Sequence, residues 1–201
     1  MLDRFATVLI RPAVATLARI ALRAGLGANA VTLAGFGLGM LSAVLIASHH
    51  PTAGLAIMAL SRICDALDGA LARLTTPTDA GGFMDLALDF VFYASIPLAF
   101  AMADPLANAL AAATLLASFV TTGTSFLAFA AIAAKRGLRN LDYPDKSVYF
   151  LGGLTEATET LACFAAMCLW PQHFAILAYG FAALCAFTAA TRIGWGWSRF
   201  R

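Results

Sequence analysis

Charge is what this chain has least of. Asp, Glu, Lys and Arg make up only 12% of its 201 residues, whereas 61% are hydrophobic. Soluble domains carry about 25% charged residues, so this surface cannot be clothed for water. With a mean hydropathy of +0.82, a water-soluble globular fold is excluded. The net charge of +2 is too small to mark a nucleic-acid partner. Four cysteines, Cys64, Cys163, Cys168 and Cys185, lie inside apolar stretches and form no C-x-x-C pair. Neither a disulfide framework nor a zinc site follows from them, and core packing is their expected role.

What remains is an integral membrane protein. Six apolar segments fall at about 29–48, 52–74, 82–103, 106–134, 148–169 and 174–197. Each is long enough to cross a hydrocarbon core of about 30 Å as a helix. Helices are required because lipid cannot satisfy an exposed backbone. The connections His49-His50-Pro51, Asp104-Pro105 and Pro171-Gln172-His173 are tight turns on one side, and longer polar connections around 75–81 and 135–147 lie on the other. All 13 Lys and Arg residues fall on that second side and none in the three turns. The positive-inside rule therefore places both termini in the cytoplasm. The expected setting is a plasma membrane, the inner membrane of a bacterium.

Residues 1–25 are too polar to span and show no signal-peptide cleavage pattern. Arg4, Arg11, Arg19 and Arg23 share one sector of a helical wheel, roughly opposite Leu2, Leu9, Leu17 and Ile20. This pattern predicts an amphipathic interfacial helix, interrupted near Pro12, on an anionic leaflet. The expected organisation is thus a juxtamembrane helix over 1–25 and one six-helix membrane domain over 26–201.

Four of the eleven acids sit where charge is most expensive. Asp65 and Asp68 end the second apolar segment, and Asp85 and Asp89 open the third. Carboxylates at membrane depth cost several kcal/mol or more unless paired or hydrated. Spacings of three and four residues place each pair on one helix face, so antiparallel neighbours would bring all four to one cleft. Their mutual repulsion is relieved by divalent cations, and an oxygen-only ligand set suits Mg²⁺ or Mn²⁺. Gly69 and Ala72 follow Asp65 on the same face and let a ligand approach the helix closely. Arg73 offers a guanidinium fork to phosphate oxygens. Together these features specify a pyrophosphate site, for which two metals are a known chemical solution. Arg62 lies deeper and is expected to neutralise Asp65 or Asp68.

The pattern Asp65-x2-Asp68-Gly69-x2-Ala72-Arg73-x7-Gly81-x3-Asp85-x3-Asp89 resembles the signature of the CDP-alcohol phosphotransferases, with all eight signature positions matched. Gly27-Ala28-Asn29-Ala30-Val31-Thr32 also resembles that family's entry into its first span, with Ala28 where a Pro often stands. The resemblance implies six membrane helices around a cytoplasm-facing polar cavity, usually as a homodimer. It implies two divalent cations held by Asp65, Asp68, Asp85 and Asp89, with Asp89 as general base. Gly69, Ala72 and Arg73 would contact the CDP portion of the donor, with Asn29 and Thr32 nearby, although those two serve equally as helix caps. The implied reaction displaces CMP from a CDP-linked lipid, CDP-diacylglycerol, by an alcohol hydroxyl in phospholipid synthesis.

The acceptor is less sharply marked. Glu156 stands ten residues beyond Lys146, about 15 Å along a helix and at a depth like that of Asp65. Glu156 and Glu159 are expected on one face of the fifth span, with Thr155 and Thr158 beside them. They are either structural, bonded to Thr hydroxyls or Arg192, or part of an acceptor pocket. The fourth span, Thr121 to Phe129, carries no arginine pair for an acceptor phosphate, so an unphosphorylated polyol or amino alcohol is expected. In the contrary case the loop bearing Lys135, Arg136, Arg139 and Lys146 folds over the cavity to receive a phosphate. Two rival readings remain: a phosphotransferase using CDP-choline or CDP-ethanolamine with diacylglycerol as acceptor, and a divalent-cation carrier.

Overall fold

A computed structural model describes residues 2–137 and 155–201, with side chains described from residue 12 onward. Its described residues form seven α-helices: α1 (Leu2–Arg23), α2 (Ala28–Ala47), α3 (Pro51–Leu74), α4 (Asp79–Ala103), α5 (Pro105–Lys135), α6 (Ala157–Leu169) and α7 (Phe174–Phe200). Helices α2 to α7 occupy the six apolar segments expected from the sequence. Four of them, α2, α4, α5 and α7, are long and apolar enough to cross a membrane. Helix α3 carries Arg62, Asp65, Asp68 and Arg73, and α6 has 13 residues, starting at Ala157 rather than at the expected 148. The expected start of the fifth span, 148–154, lies outside the described residues, as do Arg139 and Lys146.

The three short turns are built as their residues dictate. His49 turns the chain with a φ of 64°, and Pro51 starts α3 where no N–H partner is lost. Asp104 caps α5 by accepting from the Ala107 N–H at 3.1 Å, ahead of Pro105. Pro171–His173 forms a single 3₁₀ turn into α7. At the opposite end Thr78 caps α4, its hydroxyl accepting from the Gly81 N–H at 3.1 Å.

Helix α1 departs from expectation at Pro12. The helix runs through it without a break. Pro12 is exposed, and its carbonyl accepts a 3.0 Å bond from the Thr16 hydroxyl one turn on. The face that packs is a stripe of small residues: Ala18, Ala21 and Val14 meet Val31, Ala70 and Leu71. Leu17 and Ile20 flank that stripe and stay exposed.

The bundle is filled at one end and open at the other. Ile46, Met58, Phe92, Ile96, Phe100, Leu115, Phe164, Met167 and Phe174 form one core, drawn mostly from helix ends nearest the short turns. Phe100 and Phe174 stack with centroids 4.6 Å apart. Cys168 and Cys185 pack in the same core, and all four cysteines are free thiols.

Close contact of α2 with α3 sets the depth of the acids. The Ser61 hydroxyl donates to the Gly35 carbonyl at 2.7 Å, and the Ser42 hydroxyl to the Gly54 carbonyl at 2.7 Å. Small residues let the two backbones approach and lock their axial register. Gly39 is a tight point of the α2 packing beside the site. A methyl group there would lie 2.7 Å from Phe92 Cδ2 and 3.2 Å from Ser61 Oγ. Phe92 is fully buried and has nowhere to move. Gly39→Ala is therefore expected to destabilise the protein by about 1–3 kcal/mol. The thermal midpoint of detergent-solubilised protein should fall; an unchanged midpoint would show that α2 and α3 are free to shift.

Candidate active site

Two antiparallel helices, joined by the short loop 75–78, bring the acids together. Asp65 and Asp68 come from the last turns of α3, and Asp85 and Asp89 from the first turns of α4. Asp65, Asp68 and Asp85 each offer a carboxylate oxygen, and these three oxygens lie within 4.8 Å of one another. Asp68 is 5% exposed and its Oδ2 has no hydrogen-bond partner. A buried carboxylate oxygen without a partner costs about 1–3 kcal/mol or more. A bound cation would remove that cost. The three oxygens also match the hard, all-oxygen donor set that Mg²⁺ and Mn²⁺ prefer.

Asp89 stands apart from that trio. Its Oδ1 accepts from Arg62 Nη1 at 2.8 Å, while the same nitrogen is 3.7 Å from Asp65 Oδ1. Arg62 thus pairs with Asp89 first and with Asp65 second. Of the two expected partners, Asp65 is the one it reaches, and Asp68 has no ion pair with it among the described residues. Helix geometry explains the choice: Arg62 lies one turn before Asp65 and faces α4, where Asp89 is at the same level.

Three of the acids, Asp68, Asp85 and Asp89, line one wall of a cavity of about 1080 Å³. Asn29, Thr32, Gly69, Ala72, Arg73 and Gly81 line it beside Asp68, Asp85 and Asp89. Neither Asn29 nor Thr32 is the α2 cap; Gly27 holds that position. The Thr32 hydroxyl donates to the Ala28 carbonyl at 3.1 Å within the helix. Gly81 leaves room for Asn29, since a methyl group on Gly81 would lie 3.0 Å from Asn29 Oδ1. Phe90, Leu116, Val120 and Leu127 give the cavity an apolar flank.

The far side of the cavity is polar. Thr155, Glu156, Thr160 and Arg192 line it with Thr122 and Thr124. Arg192, 8% exposed, donates from Nη1 to the Thr122 carbonyl at 3.3 Å and lies near enough to Glu156 to interact electrostatically. The sequence marks it only as a partner for the glutamates. An arginine near the middle of an apolar helix was the signal that could have placed it at the site.

The glutamates differ from each other more than their spacing suggests. Glu156 is the N-cap of α6 in an extended conformation, and the helix begins one residue later. The Glu159 side chain accepts from the Glu156 N–H at 3.3 Å in a reciprocal capping box. The two therefore do not share a helical face, and Glu159 is absent from the cavity lining. Lys135 and Arg136 are absent from it too. Arg136 donates instead to the Phe200 carbonyl and covers that ring, tying the end of α5 to the end of α7.

Known proteins share both sequence and fold with this chain. The family model described as CDP-alcohol phosphatidyltransferase matches residues 26–191. The inner membrane protein YnjF of Escherichia coli is 47% identical over 200 residues, 100% of this chain and 96% of that protein. The archaetidylinositol phosphate synthase of Methanothermobacter thermautotrophicus is 39% identical over 90 residues, 44% of each. Among solved structures, the phosphatidylinositol phosphate synthase PgsA1 of Mycobacterium tuberculosis with CDP-DAG bound superposes with a TM-score of 0.73 at 22% identity, covering 92% of this chain and 93% of that one. The same enzyme in complex with manganese and citrate gives 0.71 at 23% identity, over 92% and 88% of the two chains. At these identities the structural likeness speaks for the fold.

The acidic trio makes a direct prediction. Mn²⁺ titrated into metal-stripped protein and followed by electron paramagnetic resonance should bind. Asp68→Asn, which removes charge from the buried oxygen pair, should weaken that binding by roughly tenfold or more. Unaltered Mn²⁺ affinity in the variant would remove Asp68 from the ligand set.

Proposed function

The chain belongs to the CDP-alcohol phosphatidyltransferase family, and from that premise we propose that it transfers a phosphatidyl group from CDP-diacylglycerol to a small alcohol, releasing CMP. The observation that carries this reading is the junction, in one cavity, of Asp68, Asp85 and Asp89 with Gly69, Ala72 and Arg73 on one wall and Glu156 and Arg192 on another, with Asp65 completing the acidic trio just behind that wall. It is an integral membrane protein. We place six spans, α2 to α7, with both termini cytoplasmic and α1 in the interface. In this arrangement the cavity faces the cytoplasm, as a water-soluble acceptor requires, and a homodimer in the inner membrane is the working assembly.

Each residue has a task set by its chemistry. Asp65, Asp68 and Asp85 would hold a divalent cation and, with Asp89, a second. When bound, Mg²⁺ or Mn²⁺ offsets the negative charge that accumulates on the leaving CMP. Gly69 and Ala72 leave the α3 backbone open to the nucleotide, while Arg73 offers its fork to phosphate oxygens. Asn29 and Thr32 border the same space. The acceptor hydroxyl oxygen attacks the phosphatidyl phosphorus, its proton passes to Asp89, and the bond from phosphorus to the CMP oxygen breaks. An alcohol is a poor nucleophile at neutral pH, so a carboxylate within reach of its proton is what the step needs.

The acceptor belongs at the Glu156 and Arg192 side. A carboxylate and a guanidinium facing one cavity balance each other, and hydroxyls of Thr155 and Thr160 add polar contacts. That balance suits an unphosphorylated polyol or amino alcohol better than a phosphate dianion, which Glu156 would repel.

Purified protein given CDP-diacylglycerol and an acceptor panel should release CMP, stop with EDTA and recover with Mg²⁺ or Mn²⁺. Cation uptake without CMP release would favour a carrier, and activity only with CDP-choline and diacylglycerol would reverse donor and acceptor. Asp89→Asn should keep donor affinity within about tenfold while turnover falls by roughly 10²–10⁴. Near-normal turnover would dismiss Asp89 as the base. Glu156→Gln should raise the acceptor KM more than the donor KM, and Glu159→Gln should leave both unchanged. Should glycerol 3-phosphate prove the best acceptor, with Glu156→Gln silent, the fifth-helix acid is structural.

A further inference from the structure

Arg62 belongs to none of the tasks assigned above, yet its guanidinium is held from several sides. Its side chain is 15% exposed. The guanidinium carbon lies 4.0 Å above the centroid of the Phe92 ring, a cation–π contact from α4. Nη2 donates to Ser61 Oγ at 3.1 Å, and that hydroxyl is itself spent on the Gly35 carbonyl of α2 at 2.7 Å. Nη1 holds Asp89 Oδ1 at 2.8 Å. Three helices therefore fix one planar cation, and the cation fixes one carboxylate oxygen.

We infer that Arg62 is a positioning residue: it clamps Asp89 by Oδ1, leaving Oδ2 for the cavity, and serves as a permanent counter-ion beside the metal-binding acids. Two features favour this over a merely structural ion pair. Asp89 is the one acid of the four outside the converging trio, and it is the one that Arg62 holds most closely. Arginine also stays protonated in any cellular setting, so this positive charge remains when metal and nucleotide have left. A fixed orientation matters because a displacement of about 1 Å at a reacting group can cost roughly 10²-fold in rate. As a counter-ion it has the opposite effect on the cation: its positive charge opposes the metal that the trio attracts.

The two roles have different signatures. Arg62→Met keeps an unbranched stem and removes the charge and fork. Turnover should fall by roughly 10–10²-fold with the donor KM little changed. Mn²⁺ binding to the same metal-stripped protein, read by electron paramagnetic resonance, should become about three- to thirtyfold tighter, because a neighbouring positive charge is gone. Arg62→Lys, which restores charge without the fork, should return Mn²⁺ affinity to that of the parent while recovering only part of the turnover. The turnover arm rests on the proposed phosphatidyl transfer; the Mn²⁺ arm does not, so CMP release by the parent protein separates the failure of one from the failure of the other. Unchanged or weaker Mn²⁺ binding in Arg62→Met overturns the counter-ion role. Parental turnover in either variant overturns the clamp. If Arg62→Met does not fold, Arg62→Lys decides alone: full turnover rejects the clamp, and altered Mn²⁺ affinity rejects the counter-ion.

Discussion

Like charges forced into an apolar bundle must be held apart, paired or neutralised, and this constraint organises the cytoplasmic half of the proposed arrangement. Four carboxylates enter one cleft between α3 and α4. Arg62 pairs closely with one of them, Asp89, and more loosely with Asp65. Asp65, Asp68 and Asp85 converge to within 4.8 Å of each other, an arrangement that in isolation is strongly repulsive. The bundle can sustain it because the opposite end is well packed, around Ile46, Phe100, Met167 and Phe174. Packing at one end supports electrostatic strain at the other.

The link between the two halves is a set of very small residues. Gly35, Gly39 and Gly54 bring α2 and α3 close enough for two serine hydroxyls to bond across to backbone carbonyls. In lipid, where apolar burial drives helix association only weakly, such contacts define depth. Depth is what the acids require. A shift of α3 by one residue along α2 would rotate Asp65 and Asp68 away from Asp85, and Ser61 would lose Gly35.

The sequence revealed the layout well and the partnerships poorly. Hydropathy and punctuation located α2 to α7, because Pro51, Pro105 and Pro171 begin elements where proline is tolerated. The acids were legible because charge in an apolar helix is rare and its spacing maps directly onto helix faces. The choice of partner was not. That Arg62 takes Asp89 before Asp65 depends on where α4 sits across the cleft, which no spacing within α3 encodes. Glu156 and Glu159 looked like neighbours on one face because a continuous helix was assumed; a glutamate at an N-cap breaks that period. Arg136 was legible as a cation near the membrane surface, but its tie to Phe200 joins residues 64 apart in sequence. Pro12 marked an interruption that an exposed helix did not need.

The closed end has a consequence for membrane asymmetry. A bundle stoppered by stacked Phe100 and Phe174 has a floor rather than a channel. Under the proposed function, whatever enters such a vessel would leave through the mouth by which it came. A lipid made there would keep its original leaflet, and no headgroup would change sides during the reaction. Populating the far leaflet would then be the work of a separate flipping step, and the two faces of the membrane would age differently: newly made molecules on one, transferred ones on the other.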